Sequence, residues 1–218
     1  MNHVNYQKEL EKLLGKTERE QGEGGFAPAL LLHSCCAPCS SYVLEYLCGR
    51  FRITVFYFNP NISDSAEYRH RVEEQKRLID TYNREGRGYL ISVIEGDYEP
   101  RRFFDAAQGL EDCPEGGERC FRCFDLRLRE TARKAVEGGY DHFGTTLTIS
   151  PLKNAEKLNE IGYALEREYG ISWLPSDFKK NNGYRRSVEL SAEYGLYRQD
   201  YCGCAFSKAE RERRQKET

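Results

Sequence analysis

Short apolar runs alternate with longer segments of helical periodicity along this chain. The runs that predict buried strands cover residues 29–33, 53–58, 89–94, 142–149 and 171–174. The segments that predict helices cover residues 40–50, 65–84, 101–107, 121–136 and the first part of 184–204. A further helix is expected to begin at Ser150 and Pro151, because serine suits an N-cap and proline the first helical position. This alternation predicts an α/β fold in which helices flank a parallel sheet.

The two ends of the chain differ from the alternating region. Residues 1–27 are expected to form an N-terminal helix and a linker, because glycines interrupt the apolar stripe near residue 22. Residues 28–207 are predicted to form a single α/β catalytic domain, followed by a charged tail at 208–218 that frays. The length of 218 residues is sufficient for one full domain and short for two.

Composition places the chain among soluble globular proteins, with 39% hydrophobic and 31% charged residues. No apolar run approaches the roughly 20 residues of a membrane helix, and the N-terminal segment lacks the apolar core of a signal peptide. We therefore expect a cytoplasmic protein without a membrane partner. The net charge of −2 gives no sign of nucleic-acid binding, although the many Arg, Tyr and Phe residues could serve base stacking and phosphate contact.

The chain contains nine cysteines, and a reducing compartment disfavours structural disulfides between them. Another role for these thiols is therefore expected. Seven of them fall into three groups: Cys35, Cys36 and Cys39; Cys120 and Cys123; and Cys202 and Cys204. The first group lies where a predicted strand turns into a helix, a position that stabilises thiolates. Loops at 59–61 and 148–150 follow two other predicted strands, so all three loops should surround one site at the carboxyl edge of the sheet.

Seven grouped thiols favour an iron–sulfur cluster over a zinc site. Four ligands close a structural zinc site, whereas four thiolates are the usual set for a [4Fe–4S] centre. The residues leave zinc and metal-free dithiol chemistry open. Cys202 and Cys204 could form a strained, easily reduced disulfide across Gly203, or both could bind a metal.

Other polar side chains give weaker signals. His33 and His70 are expected to be packed or surface residues rather than ligands. Arg122, Arg129 and Arg133 share one face of a predicted helix, which is either solvated or in contact with phosphates.

The chain resembles the QueH family of epoxyqueuosine reductases over residues 28–207. The matching segments are Leu-His-Ser-Cys-Cys-Ala-Pro-Cys at 32–39, Cys-Phe-Arg-Cys at 120–123, Gly-Thr-Thr-Leu-Thr-Ile-Ser-Pro at 144–151 and Asp-Tyr-Cys-Gly-Cys at 200–204. The resemblance implies a Rossmann-like fold, similar to the nucleotide α-hydrolase group. It also implies reduction of epoxyqueuosine to queuosine at the wobble position of tRNA, without cobalamin.

The resemblance further implies the roles of individual cysteines. A [4Fe–4S] cluster would be held by Cys35, Cys36, Cys120 and Cys123. Cys202 and Cys204 would be the catalytic pair, either as a redox-active dithiol or as ligands of a second metal, for which iron is the candidate. Cys39 would complete such a second site. The implied partners are tRNA carrying epoxyqueuosine and an electron donor that the sequence does not identify.

Two alternatives stand beside this interpretation. One is a zinc-stabilised module that binds RNA or protein. The other is a cluster-dependent tRNA sulfur-transfer enzyme of the same fold group, although such transfer normally requires ATP and no phosphate loop is visible in the chain.

Overall fold

The computed structural model describes residues 4–22, 24 and 26–216, and it contains one parallel sheet flanked by helices. The strands are β1 (Ala29–His33), β2 (Arg52–Tyr57), β3 (Ser92–Glu95), β4 (His142–Thr145) and β5 (Ser172–Trp173). The helices are α1 (Tyr6–Gly22), α2 (Ala37–Leu47), α3 (Ser65–Glu85), α4 (Pro100–Ala107), α5 (Glu118–Glu137), α6 (Ala155–Tyr169), α7 (Gly183–Glu193) and α8 (Ala205–Lys216). The predicted fold class is confirmed.

The strand order β3-β2-β1-β4-β5 positions the site. The chain runs outward from β1 to β3, then returns to the other side of β1 to form β4 and β5. The direction therefore reverses between β1 and β4, and ligands of such sheets bind at this reversal, outside the carboxyl ends of the strands. The turn from β1 into α2 carries Cys35 and Cys36 to that position.

Alternate residues of β1 bury their side chains on opposite faces of the sheet. Leu30 and Leu32 pack into a core that includes Val43 of α2, whereas Leu31 packs on the other face with Phe124 of α5. Burial on both faces explains why the strand reads as a continuous apolar run.

Most of the helices and strands predicted from the sequence begin and end within three residues of those in the structure. The region after β4 differs from its prediction. The predicted strand at 142–149 is wrong beyond Thr145, because the Leu147 backbone N–H bonds to Thr145 Oγ1 at 3.1 Å and the chain turns into a 3₁₀ helix at Leu147–Ile149. The predicted helix start at Ser150 is also wrong. Asn154 caps α6 instead, accepting a bond from the Lys157 backbone N–H at 2.9 Å.

The C-terminal segment also departs from its prediction. Where fraying was expected from residue 208, helix α8 runs from Ala205 to Lys216. Its first turn is fixed by Cys204, whose sulfur accepts a hydrogen bond from the Ser207 backbone N–H at 3.3 Å. Within the described ranges, no helix combines the length and apolar character that crossing a bilayer requires.

Packing of α6 on the sheet generates a stability prediction. A Cβ atom at Gly162 would overlap Cε2 of Trp173, whose indole is held by a 3.0 Å bond to Asn159. Because the ring cannot move freely, Gly162→Ala should lower the free energy of unfolding by about 1–3 kcal/mol through overpacking. Urea unfolding of the metal-free protein, followed by circular dichroism, measures this.

Gly15→Ala is the matched control, because Gly15 lies in α1 and a Cβ atom added there would have no neighbour within 4 Å. Alanine has the higher helix propensity, so this variant should be unchanged or more stable by up to about 1 kcal/mol. Equal stability of the two variants would contradict the packing described for α6.

Candidate active site

The turn between β1 and α2 is held rigidly by buried polar contacts. The Asn59 amide donates to the Ser34 carbonyl at 2.7 Å, and Ser34 Oγ donates to Gln75 at 2.8 Å. Cys36 is the N-cap of α2, and its sulfur accepts a bond from the Cys39 backbone N–H at 3.4 Å. The helix N-terminus therefore presents its positive end to the sulfur atoms of this turn.

Cys35, Cys36 and Cys39 form the tightest group of metal-ligating atoms in the described part of the chain. Their sulfur atoms all lie within 4.8 Å of one another, and those of Cys35 and Cys36 are 3.8 Å apart. Thiolates at about 2.3 Å from a single tetrahedral ion would be separated by about 3.8 Å. The spacing of this trio thus suits thiolates that bind metal.

The three thiols cannot all ionise easily without a cation. Hydrogen bonds from Cys36 and Cys39 hold the pKa of Cys35 well below its usual value. Burial raises the pKa of Cys36 to about 12, and the hydrogen bond to Cys35 raises the pKa of Cys39. A metal ion among the sulfur atoms would remove this conflict, because it stabilises every thiolate that it binds.

Cys120 and Cys123 lie in the first two turns of α5, near this trio. Their sulfur atoms are not part of the group that lies within 4.8 Å. The Gly116 N–H donates to Cys120 sulfur at 3.2 Å, and Cys120 packs against the apolar cluster that contains Cys35 and Cys36. Cys123 is buried with Cys204 in a neighbouring cluster, and burial raises its pKa to about 11.

The loop of Cys202 and Cys204 is anchored from α3 and from the β2–α3 connection. Arg71 is buried and donates to the Cys202 carbonyl at 3.2 Å, while the Ser63 N–H donates to the Gly203 carbonyl at 3.1 Å. All nine cysteines are free thiols, so Cys202 and Cys204 are not joined by a disulfide. The hydrogen bond from Cys204 lowers the pKa of Cys202 and raises that of Cys204.

The structure therefore brings the three cysteine groups into one neighbourhood. Burial and the negative charge of Cys202 both raise the pKa of Cys120 and of Cys123. The negative charge of Cys35 acts to raise the pKa of Cys202, against the larger lowering by the Cys204 hydrogen bond. Seven thiols from three distant segments thus surround the carboxyl edge of the sheet.

Two cations lie among these thiols. Arg127 of α5 is fully buried and donates to the Cys123 carbonyl at 3.2 Å and to Asn59 at 3.4 Å, while its Nη2 atom has no partner. Lys153 precedes α6 and faces Cys202 and Cys35. Burial acts to lower the pKa of both cations, but the negative charge of the thiols raises it.

Neither cation forms an ion pair with a carboxylate within the described residues. A buried guanidinium without a counterion is strongly unfavourable, so an anionic group has to offset its charge. A centre bound by several thiolates would supply that charge. The orphaned Nη2 atom and the all-sulfur donor set therefore fit an iron–sulfur cluster held at this position.

Sequence reasoning does not identify either cation as part of the site. It places Lys153 inside a helix, whereas Lys153 lies in the turn that precedes one. Arg127 carries a signal that could be used, because it interrupts the apolar face formed by Phe124, Leu128 and Thr131 of the same helix.

A cavity of about 520 Å³ opens above the thiols. Its floor includes Cys35, Cys36, Cys39, Cys202 and Arg127. Ile149 and Ser150 line it as well, so the loop after β4 contributes to the site. Asn61, from the loop after β2, approaches Cys202 with its amide nitrogen 3.8 Å from the sulfur.

The remaining candidates lie elsewhere or serve the fold. His33 is buried, and burial lowers its pKa to about 3. It donates from Nε2 to the Phe58 carbonyl at 3.1 Å and accepts at Nδ1 from Thr145 at 3.0 Å, so it is a packed residue. His70 is exposed and stacks edge-on against Tyr197.

Comparison with known proteins identifies the family. The family model described as "Epoxyqueuosine reductase QueH" matches residues 30–210. Proteins of that name from Staphylococcus epidermidis and Streptococcus pyogenes are each 45% identical, over 94% of this chain and 84% and 78% of their own lengths. A Thermotoga maritima protein of that name is 36% identical over 84% of this chain and 91% of its own. The chain therefore belongs to the QueH family of epoxyqueuosine reductases.

Proposed function

We propose that this protein reduces the epoxide of epoxyqueuosine in tRNA to the cyclopentene of queuosine. Family membership supports the reaction. The observation that supports this reaction at the site is the convergence of the three cysteine groups with two cations, Arg127 and Lys153, that lack a carboxylate partner among the described residues. Both cations and four of the seven thiols line an open cavity. The thiols that we propose as ligands of a redox centre would therefore lie beside space for a substrate.

The proposed cofactor is a [4Fe–4S] cluster on Cys35, Cys36, Cys120 and Cys123. When bound, it would supply electrons one at a time. Loss of the epoxide oxygen as water takes two electrons and two protons, so a second redox group is required beside it. We assign that role to Cys202 and Cys204, as a dithiol or as ligands of a second metal that Cys39 completes.

The chain's own side chains would manage the charge of the substrate oxygen. Lys153 lines the cavity and can donate a hydrogen bond from Nζ to an oxygen that gains negative charge as its bond to carbon breaks. Arg127 Nη2 is a second unpartnered donor in the cavity lining. Ile149 and Leu152 give the cavity an apolar lining on the side of the loop after β4.

The activity is tested with tRNA that carries epoxyqueuosine, incubated anaerobically with the holoenzyme and a chemical reductant. Nucleoside mass spectrometry should show the loss of one oxygen atom and the appearance of queuosine. Unchanged epoxyqueuosine after incubation with cluster-loaded protein would contradict the proposal.

The proposed cluster leads to a prediction about metal content. Protein purified without oxygen should be brown, with about four irons and four sulfides per chain. Serine in place of Cys35, Cys36, Cys120 or Cys123 should remove most of the colour, because each substitution deletes one thiolate ligand. Iron, sulfide and visible absorbance are measured together.

Cys113→Ser is the control for this series, because Cys113 stands outside the three groups and should leave the absorbance unchanged. A colourless wild-type protein that contains one tightly bound zinc per chain would contradict the assigned cluster.

The third cysteine group leads to a separate prediction. Cys202→Ser and Cys204→Ser should keep the absorbance of the cluster and each lower epoxide reduction by orders of magnitude, because the four cluster ligands are elsewhere. Absorbance and single-turnover reduction are measured on the same preparation. If either variant loses the cluster while Cys35→Ser retains it, the ligands have been divided incorrectly.

A further inference from the structure

We propose that the rim of the cavity binds the anticodon loop of tRNA. This rim consists of helix α8, Arg198, Tyr184 and Leu152. The inference rests on the proposed function, which names tRNA as the carrier of the substrate without assigning the surface that holds it.

Helix α8 concentrates positive charge in a chain whose net charge is −2. Its five basic residues are Lys208, Arg211, Arg213, Arg214 and Lys216, against two acidic residues, Glu210 and Glu212. Basic side chains in the last turn also suit the helix dipole. Two of these residues, Arg211 and Arg214, line the cavity, where phosphates beside it could be bound.

Arg198 adds a cation on the loop that leads from α7 to Cys202. Its side chain is exposed and lines the cavity, and it donates to Ser191 Oγ at 3.2 Å. In the region that the structure describes, no carboxylate forms an ion pair with it. An exposed guanidinium in this position is available for a phosphate oxygen.

Apolar surface accompanies these cations at the rim. The side chains of Leu152 and Tyr184 are 72% and 40% exposed, and both line the cavity. Aromatic and apolar groups beside a basic groove are typical of surfaces on which unpaired bases stack. A cavity of about 520 Å³ is large enough for one nucleoside that has left the stack.

The arginines of α5 contrast with this rim. Arg122 lies 3.4 Å from Glu118, and Arg129 lies 3.3 Å from Asp125. Arg133 pairs with Glu130 and Glu137. Carboxylates also lie near two arginines of α8, since Arg211 is 2.7 Å from Asp200 and Arg214 is 4.0 Å from Glu210. The two faces differ in position, because these two α8 arginines line the cavity and the three α5 arginines named above do not. For that reason α8 replaces the α5 face in our assignment.

The test compares two double variants that remove the same charge. Arg198→Gln with Arg214→Gln alters the rim, and Arg122→Gln with Arg133→Gln is the matched control on α5. Each holoenzyme is titrated with an anticodon stem-loop RNA at several salt concentrations, and cluster absorbance is recorded to confirm loading.

The rim variant should bind the RNA at least tenfold more weakly at low salt. The slope of log affinity against log salt concentration should also become less steep, by about one for each phosphate contact that the variant loses. The control should stay within about twofold of wild type with an unchanged slope. An unchanged rim variant, or a larger loss of affinity in the control, would overturn the assigned surface.

Tyr184 supplies an independent readout because stacking releases few counterions. Tyr184→Ala should weaken RNA binding by about tenfold without changing the salt slope, and Tyr184→Phe should restore it. Equal affinity of the Ala and Phe variants would exclude stacking on this side chain. Wild-type protein that fails to bind the RNA at low salt would overturn the proposed function together with the surface, whereas the variant results bear on the surface alone.

Discussion

Arg127 lies fully buried at the floor of the cavity, and its charge has to be offset by the sulfur atoms around it. Its guanidinium bonds to the Cys123 carbonyl and to Asn59, so it connects α5 with the loop after β2. Lys153 adds a second cation from the turn before α6. Because neither has a carboxylate partner in the described structure, the site depends on negative charge that thiolates provide.

The parallel sheet makes this arrangement attainable. Its reversal between β1 and β4 leaves an open edge, where the N-termini of α2 and α5 and the turn before α6 meet. The loop of Cys202 is distant in sequence, but Arg71 and Ser63 fix its backbone from α3 and the segment before it. Chemistry at this edge therefore rests on rigid elements, and the rim above it provides exposed cations for a larger anionic ligand.

Hydrophobic patterning predicted the sheet because β1 and β2 are buried on both faces, which leaves continuous apolar runs. It failed after Thr145, where a side-chain bond to Leu147 ends the strand without any change in hydrophobicity. Cysteine spacing placed Cys39 in one group with Cys35 and Cys36, and the sulfur atoms of these three residues lie within 4.8 Å of one another. Most ion pairs of the α5 arginines join residues three or four positions apart in the same helix, a spacing that is visible in the sequence. The pairing of Arg129 with Glu168 on α6 depends instead on tertiary placement.

Thermal unfolding of iron-free and anaerobically reconstituted protein tests the charge balance most directly, in wild type and in Arg127→Met. Reconstitution should raise the Tm of wild type, because a group that binds only the folded state stabilises it. The gain should shrink in Arg127→Met, while the iron-free variant should be at least as stable as iron-free wild type, since the buried charge is gone. An equal gain in both proteins, or no gain in wild type, would contradict the account.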